Sequence, residues 1–286
     1  MRLAMLFLFL SMLLISPERC TDAARSALSL WSIDIVPSLF PYMVLCKLSS
    51  EIMSQSGVPA IAAVPVLGLL GGSPGGAAAL SSFSCQQPMK SNTFRALCVL
   101  TGVVSPAFLL STMRRWGLNT DFCRSLAMVC ITAAVFSSLI IFMCPQRPMD
   151  TRQLPQSSFH EKATDPIMQS VASILGVGGC LVFFSVAAEW ASILLDPIAP
   201  PLFSVIIHAL LEMAGGIHKL CILSIDQGML FILCAFFAGF SGISILVQNH
   251  QQLVIAGISV RQLLYYALFR GGIAALLAFI LTCLPS

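Results

Sequence analysis

Three stretches of this sequence are long enough to cross a membrane and carry no charge. Residues 125–146, 167–188 and 227–249 contain no Lys, Arg, Asp or Glu. A helix needs about 20 residues to cross a hydrocarbon core about 30 Å thick, and lipid cannot satisfy unpaired backbone groups. The whole chain is 57% hydrophobic and only 9% charged, against roughly 25% charged in soluble domains. The sequence therefore predicts an all-α integral membrane protein with about eight to ten membrane segments, including broken or re-entrant helices.

The charge of the chain indicates which partners to expect. Its formal net charge is only +3, and the basic residues are scattered, which argues against a nucleic-acid surface. The expected partners are the lipid bilayer and a small-molecule solute. Association with further copies of the chain or with other membrane proteins stays open, as does the membrane orientation.

The chain divides around one extended polar stretch, residues 146–164, which is rich in charge and proline and reads as a loop. Residues 24–145 and 165–286 on either side have equal lengths. Residues 1–15 combine one Arg with a short apolar run and resemble a signal peptide without a good cleavage site. We interpret residues 1–23 as an N-terminal membrane segment, an uncleaved anchor in preference to a cleaved signal peptide.

Helix-breaking residues recur in the same order in the two long segments. The first has a Pro-interrupted stretch at residues 30–42, a small-residue break at 71–77, and Ser105-Pro106. The second has Gly-containing stretches at residues 176–184, 212–216 and 239–244. This order predicts two pseudo-symmetric repeats, most simply with inverted topology.

Paired breaks within apolar helices point to a binding site at the membrane midplane. A break releases backbone groups that persist only where protein or water surrounds them. A half-helix that starts beyond a break also directs its free amides and positive dipole end into the site. The alternative for any single Gly-rich stretch is close packing between helices.

Candidate solute-binding residues lie at or beside these breaks. Glu212 is the most informative, because an ionised carboxylate inside a membrane is costly and usually functional; it can bind a coupling ion or fix the neighbouring helix. Neutral hydroxyls and amides can bind a carboxylate or a ring nitrogen. The full set comprises Ser73, Gly75, Gly76, Ser105, Glu212, Gly215, Gly216, Ser241, Gly242, Ser244, Gln248 and Asn249.

Other polar residues are weaker candidates. Asp34 and Glu189 lie within or beside long apolar runs. Arg114 and Arg115 next to Trp116 follow the pattern of a membrane edge. The histidines His208, His218 and His250 share no metal-ligand spacing. The sequence indicates no catalytic residue, metal or cofactor, and it leaves a coupling ion, H⁺ or Na⁺, undecided.

Several separated motifs resemble one family, the sporulation integral membrane protein YlbJ family, which belongs with the nucleoside-recognition or Gate domains. They include Leu30-Trp31, Val36-Pro37-Ser38-Leu39-Phe40-Pro41, Gly72-Ser73-Pro74-Gly75-Gly76-Ala77, Ser105-Pro106-Ala107-Phe108, Leu211-Glu212-Met213-Ala214-Gly215-Gly216 and Phe240-Ser241-Gly242-Ile243-Ser244. The resemblance spans about residues 24–270. It implies Gate-like repeats with re-entrant hairpins and unwound helices around a solute.

The resemblance also implies a function. Members of that family are associated with endospore formation and with moving dipicolinic acid across the membrane around the forespore. The leading hypothesis is therefore a permease for a small polar anionic solute, most simply dipicolinic acid, with other sporulation membrane proteins as possible partners.

Two alternatives remain beside the permease. One is a Gate-domain membrane assembly factor that transports nothing. The other is an intramembrane serine protease, since Gly239-Phe240-Ser241-Gly242 matches a G-x-S-G motif; the later histidine is only nine residues on, at His250, too near for a pair on separate helices. We expect no enzyme.

Overall fold

A computed structural model describes residues 11, 13–86, 89–144, 165–254 and 257–284. All regular secondary structure in these residues is helical, which confirms the all-α fold class. Residues 1–10 and 12 of the expected N-terminal segment and all of the expected polar loop, residues 146–164, lie outside the described residues. No helix ends at residue 23, just before the first repeat was expected to begin at residue 24, because the chain is continuously helical from Pro17 to Gln55.

The described helices divide into long and short elements. In chain order they are α1 Pro17–Leu30, a π-helical turn Trp31–Ile35, α2 Val36–Gln55, α3 Ala60–Gly71, α4 Gly75–Gln86, α5 Ser91–Thr101, α6 Pro106–Arg115, α7 Thr120–Met143, α8 Pro166–Leu195, α9 Pro201–Leu211, α10 Met213–Ile222, α11 Gln227–Phe240, α12 Gly242–Leu253 and α13 Val260–Cys283.

Six helical stretches in the described residues are long and apolar enough to cross a membrane, so the chain is a multi-pass membrane protein. These spans are Pro17–Met53, Ser91–Arg115, Thr120–Met143, Pro166–Leu195, Gln227–Leu253 and Val260–Cys283. Between the spans lie two helical hairpins, α3–α4 and α9–α10, whose partner helices pack extensively against each other. With the hairpins counted, the described residues form eight membrane segments, within the expected number.

The two membrane faces can be defined by helix ends. Face A holds the start of α1 and the end of α8, where Arg19 bonds Glu189 and Asp196. Face B holds the end of α2 and the start of α8, where Lys47 Nζ lies 3.0 Å from Ser173 Oγ. Hairpin α3–α4 connects two helix ends at face B, and hairpin α9–α10 connects two helix ends at face A.

The two halves share one order of elements. Each has a long helical span, a hairpin of two short helices, a span interrupted near its middle, and an uninterrupted span of 24 residues, α7 or α13. Each half therefore crosses the membrane three times. Since three is odd, the second half starts from the opposite face and runs inverted with respect to the first.

The expected breaks at residues 30–42 and 176–184 are wrong, because both stretches are continuously helical. Pro37 and Pro41 follow a wide π-turn and do not end the helix. One glycine of α8, Gly178, serves close packing instead. A methyl group added at Gly178 would lie 2.7 Å from the Trp31 ring, and Trp31 Nε1 donates to Ile174 O at 3.0 Å.

Candidate functional site

The tip of the first hairpin docks onto the break between α5 and α6. Ser73 N donates to Val103 O at 2.8 Å, and Ser73 Oγ donates to Thr101 O at 3.0 Å. Ser105 Oγ donates in return to Leu70 O at 3.3 Å. Backbone groups that the hairpin tip and the break would expose to lipid thus satisfy one another.

The tip of the second hairpin is organised by Glu212, which is only 2% exposed. It separates α9 from α10 and is the N-cap of α10. Its carboxylate accepts from Ala214 N at 2.8 Å and from Gly215 N at 2.6 Å. A carboxylate at a helix N-terminus satisfies orphan amides and complements the positive dipole end. Glu212 therefore fixes the tip and still lines the central cavity.

The break between α11 and α12 is a left-handed turn at Ser241 and Gly242, whose φ angles are 74° and 77°. Ser241 Oγ donates to Gly102 O at 3.0 Å. Gly102 belongs to the break between α5 and α6, so the two interrupted spans touch at their breaks. Contact between the halves at this point places their broken helices side by side.

A buried arginine joins these two breaks. Arg270, on α13, donates from Nε to Gly239 O at 2.7 Å and from Nη1 to Val99 O at 2.8 Å. Its Nη2 donates to Gly102 O at 2.7 Å and lies 3.3 Å from Ser241 Oγ. In the described part of the chain no carboxylate forms a salt bridge with it. Its charge neutralises the carbonyl ends of α5 and α11.

A cavity lies where the hairpin tips and breaks converge. About 50 Å³ of its volume is wide enough for the centre of a water molecule, room for roughly three or four waters. Its polar lining comes from both halves, and the rest of its wall is mostly apolar. Of the expected residues, it is lined by Ser73, Ser105, Glu212, Ser244 and Gln248.

One amide in this cavity has an unsatisfied oxygen. Gln248 is 5% exposed, and its Oε1 has no hydrogen-bond partner among the described residues. Its Nε2 lies 3.4 Å from Ser244 Oγ, and the side chain also contacts the Cys180 thiol. A buried polar atom without a partner is costly. Because Gln248 lines the cavity, a solute or water there can satisfy it.

The other expected residues support the site without lining this cavity. Asn249 Nδ2 donates to Ser73 Oγ at 3.0 Å, which ties α12 to the first hairpin. The remaining ones sit at close helix contacts: Gly75 near Met43, Gly76 against Gly68, Gly215 beside the Glu212 carboxylate, Gly216 against Ala209, and Gly242 against Met213. These glycines allow close backbone approach and present no polar side chain to a solute.

Helix termini set the electrostatics of the cavity. The N-caps of α6 and α12, Ser105 and Ser241, make no side-chain capping bond, so both helices begin with uncapped positive ends. Each such end is equivalent to roughly half a unit charge. The opposing negative ends of α5 and α11 are bound by Arg270. Glu212 is the single charged side chain among the cavity-lining residues. The field on the side of α6 and α12 therefore favours an anionic group.

Two further cavities adjoin one another between this site and face B. The first has about 240 Å³ wide enough for water and shares Pro74, Val177 and Gln248 with the central cavity. The second, a polar vestibule of about 390 Å³, shares Gln252 with the first. Its wall includes Lys47, Ser50, Glu51, Asp165 and Gln169. Together these cavities give the central cavity a polar approach from face B.

The surroundings of Ser241 bear on nucleophilic chemistry. Its Oγ donates toward the carbonyl oxygens of Gly102 and Ala238, and Arg270 Nη2 lies 3.3 Å away. A serine nucleophile needs a neighbouring general base that accepts its proton. These three partners are two carbonyls and a cation, so the contacts seen at Ser241 are those of a structural hydroxyl.

Two residues important to this arrangement were missed from the sequence. Arg270 is one, although a lone arginine in the middle of a 24-residue apolar helix was a usable signal. Lys219 is the other; it follows the second hairpin tip and carries no motif. Comparisons with protein-family models, curated proteins and solved structures find no match to this chain.

Proposed function

We propose that this protein is a permease for a small anionic solute. The observation that supports it best is the convergence of two hairpin tips, which enter from opposite faces, with two helix breaks on one cavity. Polar groups from both halves line that cavity, as alternating access around a central site requires. Assembly factors have no need of an unsatisfied buried amide or a polar path to the surface.

The cavity chemistry supports a carboxylate on an apolar body. Uncapped ends of α6 and α12 supply positive potential without a cationic side chain, while Phe108, Val177 and Leu181 form an apolar wall. The cavity is narrow, so a ring can enter only if these side chains move apart. Dipicolinic acid, the solute implied by the family resemblance, is the first to test, and the forespore membrane of a spore-forming bacterium is the corresponding location.

Binding and uptake test this proposal together. The purified protein should be stabilised against heat by dipicolinate more than by nucleosides, because a solute that binds only the folded state raises its stability. Proteoliposomes should then accumulate radiolabelled dipicolinate. Folded protein that neither binds nor moves any of a panel of mono- and dicarboxylates would contradict the permease and leave an assembly role.

Glu212→Gln should reduce uptake by about tenfold or more. The amide nitrogen cannot accept a hydrogen bond, so one of the two tip amides loses its partner and the cavity loses its titratable group. The matched control is Glu18→Gln, an exposed acid at the start of α1, which should transport normally. Wild-type uptake by the Glu212 variant would remove this residue from the site.

A further inference from the structure

A chain of polar side chains leads from the central cavity to face A, away from the vestibule. Arg19 Nη2 bonds Glu189 Oε1 at 2.7 Å. Lys219 Nζ lies 3.1 Å from Glu189 Oε2 and 3.1 Å from His208 Nδ1. The side chains of Arg19 and Lys219 are 48% and 39% exposed, whereas His208 is only 4% exposed. The chain therefore runs from water into the protein interior.

The inner end of this chain meets the site acid at Gly215. A methyl group added to Gly215 would lie 2.8 Å from Glu212 Oε2 and 3.2 Å from His208 Nε2. Both atoms therefore border the same small space, which only a residue without a side chain leaves open. One water or a small rotation of the imidazole would connect them.

The lysine determines which nitrogen of His208 carries the proton. An ammonium group can only donate, so His208 Nδ1 must accept from Lys219. The neutral ring then carries its proton on Nε2, the nitrogen that faces Gly215 and Glu212. In this arrangement the imidazole is oriented to deliver a proton to the carboxylate and to be reprotonated from the side of Lys219.

We infer that Glu212 is the site of a coupling proton, which reaches it from face A through Lys219 and His208. This inference rests on the proposed permease function. A bound anion next to an ionised Glu212 is repelled, whereas protonation of Glu212 removes the repulsion. Solute and proton therefore favour each other's binding, and by reciprocity each strengthens the other by the same factor.

The proton step balances without any further reactant. The Nε2–H bond of His208 breaks as an O–H bond forms on Glu212, and Nδ1 takes a proton from the Lys219 ammonium. Water at face A then returns a proton to the partly exposed Lys219. Release of the Glu212 proton in the opposite conformation, together with a rotation of the imidazole that returns an N–H to the side of Glu212 and a bare nitrogen to the side of Lys219, completes the cycle with one proton moved for each solute.

The groups around this chain come from several elements. Glu189 on α8 and Asp196 after it are acids, and Arg19 on α1 is a cation. His218 on α10 packs against Trp116, with ring centroids 5.1 Å apart. The His218 and Trp116 rings are tilted at 44° to each other. From α12, neutral Ser244 and Gln248 face the cavity with Glu212. Glu189 accepts from both Arg19 and Lys219, and the contact of Lys219 Nζ with His208 Nδ1 keeps His208 in the tautomer that carries its proton on Nε2.

The test compares accumulation with exchange in proteoliposomes that contain the full chain, radiolabelled dipicolinate and a pH-sensitive dye inside. Wild-type protein should acidify the lumen as it takes up solute. His208→Gln should lose about tenfold or more of the uptake driven by a pH gradient. Its solute exchange at equal pH on both sides, which needs no net proton transfer, should stay within about twofold of wild type. His218→Gln is the matched control and should behave as wild type.

Each result decides the inference. Wild-type uptake without acidification, or pH-driven uptake by His208→Gln at the wild-type rate, would overturn the relay and leave the permease standing. Loss of both exchange and pH-driven uptake at an unchanged melting temperature would assign His208 to solute binding and overturn the relay. If His208→Gln is unstable, Lys219→Gln decides between the same outcomes. Absence of any wild-type binding and uptake would end both proposals.

Discussion

Arg270 shows how a single residue can tolerate burial in a membrane protein. A charge in the bilayer is expensive unless it is paired or fully hydrogen-bonded. The guanidinium is only 3% exposed, and it compensates with three carbonyl acceptors instead of a carboxylate. Those carbonyls end α5 and α11, where the helix dipoles are negative. The same charge that would be a liability elsewhere thus holds two interrupted spans together.

Replacing Arg270 should destabilise the fold. Arg270→Met leaves three carbonyl oxygens without a donor. Arg270→Lys keeps the positive charge but loses the planar guanidinium, whose fixed donors reach all three carbonyls. We expect Arg270→Met to cost about 3 kcal/mol or more, since each buried carbonyl left without a donor costs roughly 1–3 kcal/mol, and Arg270→Lys to cost less, measured as loss of folded protein in detergent on heating. Arg124→Lys, at a side chain 69% exposed, is the control. A melting temperature for Arg270→Met equal to that of the control would contradict the bridging role.

At the scale of elements, the first hairpin depends on one glycine. Gly72 ends α3 with a φ of 61°, and a methyl group there would collide with the Ser105 backbone. A positive φ is strained for residues other than glycine. The contact with Ser105 also leaves no room for a side chain at this position. The hairpin tip can therefore reach the α5–α6 break only because this position lacks a side chain.

Replacing two glycines that both have positive φ distinguishes the effect of backbone strain from the effect of a steric clash. Gly72→Ala should reduce both thermal stability and solute uptake, because the hairpin tip must withdraw from Ser105. Gly117, with a φ of 89°, has nothing within 4 Å of an added methyl group, so Gly117→Ala should cost only about 1 kcal/mol of strain. Equal losses for the two variants, measured by thermal unfolding and uptake, would show that the close approach is unimportant.

At the scale of the whole molecule, the odd number of crossings in each half determines the architecture. Hairpins α3–α4 and α9–α10 enter from opposite faces, and their tips meet near the interrupted spans. The path of cavities runs to face B, while ion pairs join α1, α8 and α10 at face A. The cavities that adjoin the central one therefore lie on the side of face B, opposite these ion pairs.

Equivalent positions in the two halves test the inversion directly. Asp121 and Arg261 are each the second residue of an uninterrupted span, α7 or α13, and both are exposed. In a variant with the exposed Cys283 replaced by serine, Asp121→Cys and Arg261→Cys should react with a membrane-impermeant thiol reagent from opposite sides. Labelling from the same side would contradict the inverted topology.

Local sequence carried much of the fold. Runs without charge predicted the membrane helices. In lipid a helix satisfies the backbone hydrogen bonds of a spanning segment internally, and water cannot do so. Gly72-Ser73-Pro74 and the stretch at Glu212 were correctly recognised as breaks. The breaks predicted at residues 30–42 and 176–184 were wrong, because Gly and Pro can also occur in continuous, closely packed helices. Which of the two applies depends on the side chain that packs against the position, as the Trp31 ring packs against Gly178.

The sequence by itself determined the membrane class, the order of the elements and the residue types that could serve a solute. Tertiary structure alone decided which of them meet: Ser73 and Ser105 with Glu212, Ser244 and Gln248 at one cavity, and Asn249 and Ser241 at contacts that support it. It also recruited Arg270, His208 and Lys219, which no local pattern connects to the breaks. The physical reason is that periodicity and breaks act over a few residues, whereas these contacts depend on how two inverted halves pack.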